Sequence, residues 1–433
     1  MKKIFHYAML LASACMITAG LTACSDDNDD PQPGSTDAES AEISNILNNY
    51  VDNVVNPTYK EMAANATTLY SAMKALRDGA EKHQATDEQV KAACDAWKAA
   101  RANYEKSEAF LLGAANDYDI DPHIDTWPLD LVALQSFLTS PSMMKNVTTS
   151  DDDNNISWVH SNLNQTQLGF HSVEFIIFRD GKNRPASSIN AEYEDFTDAD
   201  QGINLTSVKN ADELDFAVAV AGDLMYSIYE MEVCWNADAP AEHREALESL
   251  EWKTSMPSSS ITYGENMKNA GKLGSLYTTV KGAASAVLVG DNGCVGICDE
   301  VGQTKMGKPY GLGTNDENRE SDPSYIESPY SYNSLTDFWD NIQSIKNTWY
   351  GKYTTDNNTD GATYSFHKYM TKYGPAEGKA VEDAIDNAQA KIKACTAPFR
   401  YNYHNAQVLE AINACTALSN AFSAANDVIQ KQK

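Results

Sequence analysis

Apolar residues recur along this chain at steps of three and four, the period of an α-helix buried along one face. Ile43, Ile46, Leu47, Tyr50, Val51 and Val54 form such a stripe, and Leu69, Met73 and Leu76 continue it. Pro57 is placed to start a new helix or to kink the first. Thr86 followed by Gln89 has the form of a capping box, so a helix should begin there. Leu214 to Trp235 carries Leu214, Val218, Ala221, Leu224, Met225, Ile228 and Met231 on one side. Further helices are expected over roughly 263–288 and from Leu335 to Tyr350. Two long helices should close the chain, the last with Val408, Ile412, Cys415, Leu418, Phe422 and Ala425 in one stripe. Runs of alternating β-branched residues are scarce. The pattern predicts an all-α fold of two helical bundles, residues 39–205 and 206–433, with four to five helices in each. Polar stretches at 140–156, 186–210, 253–262, 290–323 and 352–362 read as loops and connections. No internal repeat is visible at the level of residues.

The first residues have a different character. Lys2-Lys3 precede an apolar run from Ile4 to Gly20, too short to span a membrane comfortably. The run ends Leu21-Thr22-Ala23-Cys24, which resembles a bacterial lipobox. Cleavage would remove residues 1–23, and lipidation of the Cys24 thiol would hold the protein on a membrane. Residues 24–38 read as a flexible acidic tether. Its Ser25-Asp26-Asp27-Asn28-Asp29-Asp30 run resembles the acidic tag of surface-exported lipoproteins, and a plain solvated tether is the other reading. The expected location is therefore the outer membrane, exposed at the cell surface, with a periplasm-facing anchor as the alternative.

The 433-residue chain holds 61 acidic and 33 basic side chains, a formal net charge of -28. Such a surface repels phosphates, which argues against nucleic acid as a partner. With 42% hydrophobic residues the chain can bury a sizeable core. Beyond Cys15 and Cys24 there are six cysteines, and six allow 15 pairings. Cys294 and Cys298, close in one expected loop, are the first pair to test. No second cysteine pair stands at zinc-binding spacing.

Candidate chemistry centres on Leu168-Gly169-Phe170-His171-Ser172-Val173-Glu174-Phe175-Ile176-Ile177-Phe178. On a helix, Leu168, His171, Glu174 and Phe178 share one face, apolar except for His171 and Glu174. Polar groups on a buried stripe are costly unless paired or bound to a metal. A histidine and a carboxylate one turn apart can serve one cation, or can simply satisfy each other. Gly169 beside them removes bulk where a backbone or ligand could approach. A second helix places Trp97, Arg101, Tyr104, Glu108 and Leu111 on one face. Arg101 and Glu108 there form a salt bridge, or Glu108 projects into the pocket of His171 while Arg101 holds a carboxylate. In Asp119-Ile120-Asp121-Pro122-His123-Ile124-Asp125-Thr126-Trp127-Pro128-Leu129-Asp130, Asp125 and Asp130 are candidate acids, with helix capping as their ordinary use.

The Gly169-x-His171-x-x-Glu174 core resembles the signature of the imelysin family. So do Trp97-x-x-x-Arg101-x-x-Tyr104-x-x-x-Glu108 and Trp127-Pro128-Leu129-Asp130. Asp299-Glu300-Val301-Gly302-x-x-Lys305 and Glu327-Ser328-Pro329-Tyr330-Ser331 are similar to its C-terminal landmarks. The resemblance spans residue 40 to the C-terminus and is nearest to imelysin-like lipoproteins of gut Bacteroidetes. It implies two helical bundles with the site at their junction. It also implies His171, Glu174, Glu108 and Asp125 as metal ligands. Arg101, Tyr104, Gly169 and Trp127 would be pocket residues, and Ser331 a wall from the other bundle.

Three functions follow as expectations. The first is a surface lipoprotein that binds iron, zinc or another divalent or ferric ion, or a metal chelate or haem, for iron acquisition with an outer-membrane uptake partner. The second is an imelysin-type metallopeptidase, although the chain has no His-Glu-x-x-His and no carboxylate obviously spare as a base. The third is a peptide- or glycan-binding scaffold in which His171 and Glu174 only bond each other.

Overall fold

In the computed structural model the described residues are 35–312, 321–353 and 361–431. The expected signal segment, Cys24 and most of the tether lie outside them. The fold is all-α, and the only strands among the described residues are two hairpins of two-residue strands.

Helix α1 (Ser35–Tyr50) passes through a π-helical turn (Val51–Val55) into α2 (Asn56–Ala80), with Pro57 in its first turn. The first four residues of α1 fall within the expected tether. Helix α3 (Asp87–Glu105) starts at the Thr86–Gln89 capping box. The short connection folds α3 back onto α2. Next come α4 (Ile120–Asp125), α5 (Asp152–Asn162), α6 (Gly169–Ile177) and α7 (Asn210–Trp235). The second part of the chain supplies α8 (Val280–Val289), α9 (Cys294–Asp299), α10 (Ser334–Tyr350), α11 (Pro375–Ala394) and α12 (Ala406–Lys431).

Three expectations change. The 140–156 stretch is not all loop, since Pro141–Met144 is helical and α5 begins at Asp152. The helix expected over 263–288 is two, Tyr263–Lys268 and α8, separated where Gly271 and Gly274 take positive φ. Residues 290–323 contain α9 and a π-helical turn, Glu300–Lys305. Cys294 and Cys298 lie one turn apart on α9, and both are buried free thiols.

One hydrophobic core runs through the molecule. Helix α7 is buried on nearly every side along most of its length, so it has neighbours all round. It finds them in α2, α5 and α6. Helix α7 was expected to open the second bundle, yet it packs on elements that precede residue 205. Helix α12 packs on α8, α9 and α11, and α1 joins them through α8. Helix α10 lies between the groups, touching α3 on one side and α11 on the other. Its many buried polar residues, among them Asp337, Asn341 and Ser344, face a polar centre rather than a greasy one.

Candidate metal centre

Helix α6 is buried at every residue. Its start is fixed by Gly169, whose φ is +69° and where a Cβ would collide with the carbonyl of Ile124. Only glycine suits both the conformation and the space. This contact brings the first turn of α6 against the end of α4, and so His171 against Asp125. From the other side, Trp97 Nε1 on α3 donates to the Phe170 carbonyl at 2.9 Å.

His171 Nδ1 lies 3.1 Å from Glu174 Oε2. The other oxygen of Glu174 accepts from Tyr330 N at 3.0 Å, Ser331 N at 2.8 Å and Ser331 Oγ at 2.7 Å. Glu174 was expected among the metal ligands. Both of its oxygens have hydrogen-bond partners, an arrangement suited to orienting the imidazole. A neutral His171 that donates Nδ1–H to Glu174 turns the lone pair of Nε2 away from it. Nε2 is 3.3 Å from Asp125 Oδ1 but has no well-directed hydrogen bond.

Beyond Nε2 lies a buried ionic cluster. The Arg101 guanidinium pairs with Asp125, with Glu105 one turn on, with Glu327 at 2.6 Å and, more distantly, with Asp337 at 3.8 Å. It also lies over the rings of Tyr104 and Phe170, 5.4 and 5.2 Å from their centroids. Lys305, carried inward on the π-helical turn, places Nζ 2.9 Å from Glu327 Oε1 and 3.3 Å from Glu108 Oε1. The Trp127 ring sits 4.8 Å from the same ammonium. Six buried carboxylates (Glu105, Glu108, Asp125, Glu174, Glu327, Asp337) thus face three basic groups, Arg101, Lys305 and His171.

Burial is the largest influence on Glu105 and Glu108. With the neighbouring acids it holds both well above the ordinary carboxylate range despite Lys305. Burial also opposes charge on Asp125, but Arg101 and His171 outweigh it and hold that carboxyl below its usual value. Burial disfavours the His171 imidazolium, yet Asp125 and Glu174 prevail and push its pKa up to about 9. Burial likewise raises Asp121, bonded to the Tyr104 hydroxyl, and Asp337, each to about 7. The cluster is short of positive charge.

The donor set fits a metal ion. His171 Nε2, Glu108 Oε2 and Glu327 Oε2 are buried without hydrogen-bond partners, a costly state unless something else satisfies them. One ligand atom from each of Asp125, His171 and Glu327 lies within 4.8 Å of the others, and the same holds for Glu105, Glu108 and Asp125. Asp125 is common to both sets. One imidazole nitrogen with several carboxylate oxygens suits iron, manganese or zinc. A cavity of about 1110 Å³ leads to His171, lined also by Trp127, Arg179, Tyr330, Arg400 and Tyr403.

The structure brings His171, Asp125 and Glu108 into one buried cluster. Glu108 does not sit on the helix expected for it: α3 ends at Glu105, and Glu108 opens a separate 3-10 turn. It still faces inward, 3% exposed. Arg101 and Tyr104 line the cluster, Trp127 closes its cleft side, and Ser331 acts through Glu174. Sequence reasoning did not single out Glu105, Glu327 or Lys305 as site residues. Glu105 carried a signal, being one turn from Arg101 on a buried face. Lys305 and Glu327 stood in the C-terminal landmarks but in segments without periodicity.

The family described as Imelysin matches residues 55–425. Among curated relatives, iron-regulated protein A of Synechococcus elongatus is 22% identical over 389 residues, covering 89% of this chain and 84% of its own. Among solved structures, one from Parabacteroides distasonis, described as a precursor of iron-regulated protein A, is 25% identical with a TM-score of 0.68. The match covers 90% of this chain and 95% of that one. An imelysin-like protein from Psychrobacter arcticum is 10% identical with a TM-score of 0.52, over 91% and 94% of the two chains, and shares the fold.

Proposed function

The chain belongs to the imelysin family, and from that premise we propose that it captures a metal ion or a small metal chelate in iron acquisition. The observation that carries this reading is Nε2 of His171, 3.3 Å from Asp125 Oδ1 without a well-directed hydrogen bond and facing Glu327, inside an acid-rich cluster. His171, Asp125 and Glu327 would hold the ion, with Glu105 and Glu108 as further oxygen donors beside Asp125. A bound metal supplies a Lewis-acidic centre that can coordinate a chelate's donor atoms. Arg179 and Arg400, with the Trp127, Tyr330 and Tyr403 rings, give the cleft walls suited to an anionic, aromatic chelate or haem. Two relatives named for iron regulation support the link to iron.

The proposal places the protein on the outer membrane through a lipidated Cys24, exposed at the cell surface and handing its cargo to an uptake partner. The Lys2-Lys3, Ile4–Gly20 and Leu21-Thr22-Ala23-Cys24 sequence supports the anchor. No helix among the described residues is long and apolar enough to cross a membrane.

The test is direct. The purified protein is equilibrated with ferrous, ferric or zinc ions, and bound metal is counted after gel filtration. His171→Ala with Asp125→Asn should remove one equivalent. Unchanged stoichiometry would sink the reading.

A metallopeptidase is the second reading, favoured by Glu108 Oε2. With Asp125, His171 and Glu327 as ligands, Glu108 is a buried carboxylate left over to act as a base. Chelator-sensitive cleavage of insulin or casein, lost in Glu108→Gln, would establish it.

A further inference from the structure

A second set of donors lies outside the cluster just described. Asp223, in the middle of α7, has a fully buried side chain. His123 Nε2 on α4 approaches its Oδ2 at 2.7 Å, and His160 Nδ1 on α5 approaches its Oδ1 at 2.8 Å. The two imidazole rings are 4.8 Å apart. One ligand atom from each of the three residues lies within 4.8 Å of the others.

The packing builds this arrangement. At Gly222, beside Asp223, a Cβ would collide with the side chain of Ile156. Glycine there lets α5 approach α7 closely, and His160 is one turn along from Ile156 on the same face. On α4, His123 is two residues from Asp125, so the two side chains leave the helix in different directions. One reaches Asp223 and the other Arg101 and His171.

The chemistry of the set is specific. A wholly buried carboxylate requires a positive partner. Two imidazoles and one carboxylate form a donor set that zinc, iron and cobalt accept, with coordination positions left open. Both imidazoles reach the surface, at 14% and 33% side-chain exposure, so an ion could enter from solvent. The His160 ring lies 4.0 Å from that of Trp252, tilted by 31°, and Trp252 lines a separate cavity of about 750 Å³. Glu230, two turns along α7 from Asp223, adds a further buried carboxylate on the same side.

We propose that His123, His160 and Asp223 form a second cation site that binds one zinc or similar divalent transition-metal ion, independently of the site around His171. On binding, the ion takes the place between Asp223 and the imidazoles that imidazole protons otherwise occupy. An imidazolium gives up that proton to solvent, a neutral imidazole carries its one proton on the ring nitrogen turned away from the ion, and the carboxylate and two imidazole nitrogens become its ligands.

The experiment uses the full chain stripped with chelator and titrated with zinc alone. Wild type should bind one equivalent that His160→Gln removes or weakens at least tenfold and that His171→Ala leaves intact. Retention of wild-type zinc affinity and stoichiometry in His160→Gln overturns the proposal. The proposed function fails separately, if His171→Ala with Asp125→Asn changes nothing. Should His160→Gln not fold, cobalt titration decides. Cobalt should quench tryptophan emission in wild type, and Trp252→Phe should abolish that component. Quenching equal in both proteins, or none in either, overturns the proposal.

Discussion

Gly169 rests on the carbonyl of Ile124, and no side chain fits between them. The residue after Ile124 is Asp125, and two after Gly169 is His171, so this one backbone contact sets the distance between an acid and an imidazole. Gly169→Ala would add a Cβ at positive φ and against a carbonyl that cannot yield without moving α4. The cost should be roughly 2–4 kcal/mol from backbone conformation and overpacking together. Metal affinity should fall with it because Asp125 is displaced. Urea denaturation and a zinc titration check both, and wild-type values in either would refute the coupling.

Glu174→Gln should spare the fold and damage the site. The side-chain carbonyl can still accept from Ser331 and Tyr330. The new amide, however, donates toward His171 Nδ1 where the carboxylate accepted. The neutral imidazole must then carry its proton on Nε2, the nitrogen that faces Asp125 and Glu327. Metal affinity should drop by about 10- to 100-fold, the range for loss of a carboxylate that orients a histidine ligand. Nitrogen NMR of the His171 tautomer, beside a zinc titration, reads the effect.

The metal-free protein should lose stability as pH rises from about 4 to 9. Burial pushes Asp121, Asp337 and Asp215 up to about 7 and Asp340 up to about 6. The folded state therefore keeps protons on these acids that the unfolded chain releases from near pH 4. Stability falls as pH climbs through that interval. His171, with a folded pKa of about 9, stabilises below its unfolded value near 6.5 and loses that contribution between the two. The signs agree, and the total should be a few kcal/mol. Denaturant midpoints at pH 5, 7 and 9 measure it. Saturating zinc should flatten the upper part of the curve, since the metal replaces the lost positive charge. A midpoint that rises from pH 5 to 7 without metal would contradict the burial of these acids.

Much of this was legible in the chain. The helical stripes gave the all-α class, and the capping box at Thr86 marked the start of α3. The spacing of His171 and Glu174 made them neighbours. It did not say that Glu174 is also held by Ser331 and Tyr330, far away in sequence and brought in by a loop. Glu108 followed the apolar period of α3, but the helix stopped three residues earlier. Nothing in the stripe marks that stop, because the residues beyond it are equally buried. Lys305 and Glu327 sit on a π-helical turn and a loop. Periodicity is silent in such segments, and only folding shows that their charges converge.

Lys305 occupies the place a cation would want. Its ammonium touches Glu108 and Glu327 and lies 3.7 Å from Glu105. In Lys305→Met these carboxylates lose a buried counter-charge, which should destabilise the metal-free protein by about 3–5 kcal/mol. The same change leaves the cluster more negative and removes a competitor, so a divalent ion should bind more tightly than in wild type. Added zinc should raise the melting temperature of Lys305→Met by more than that of wild type, since a ligand selective for the folded state stabilises it by an amount that grows with the logarithm of its affinity. Equal zinc-induced shifts in the two proteins, measured by scanning calorimetry, would mean that the ion binds away from Lys305 and that the lysine is only a structural counter-charge.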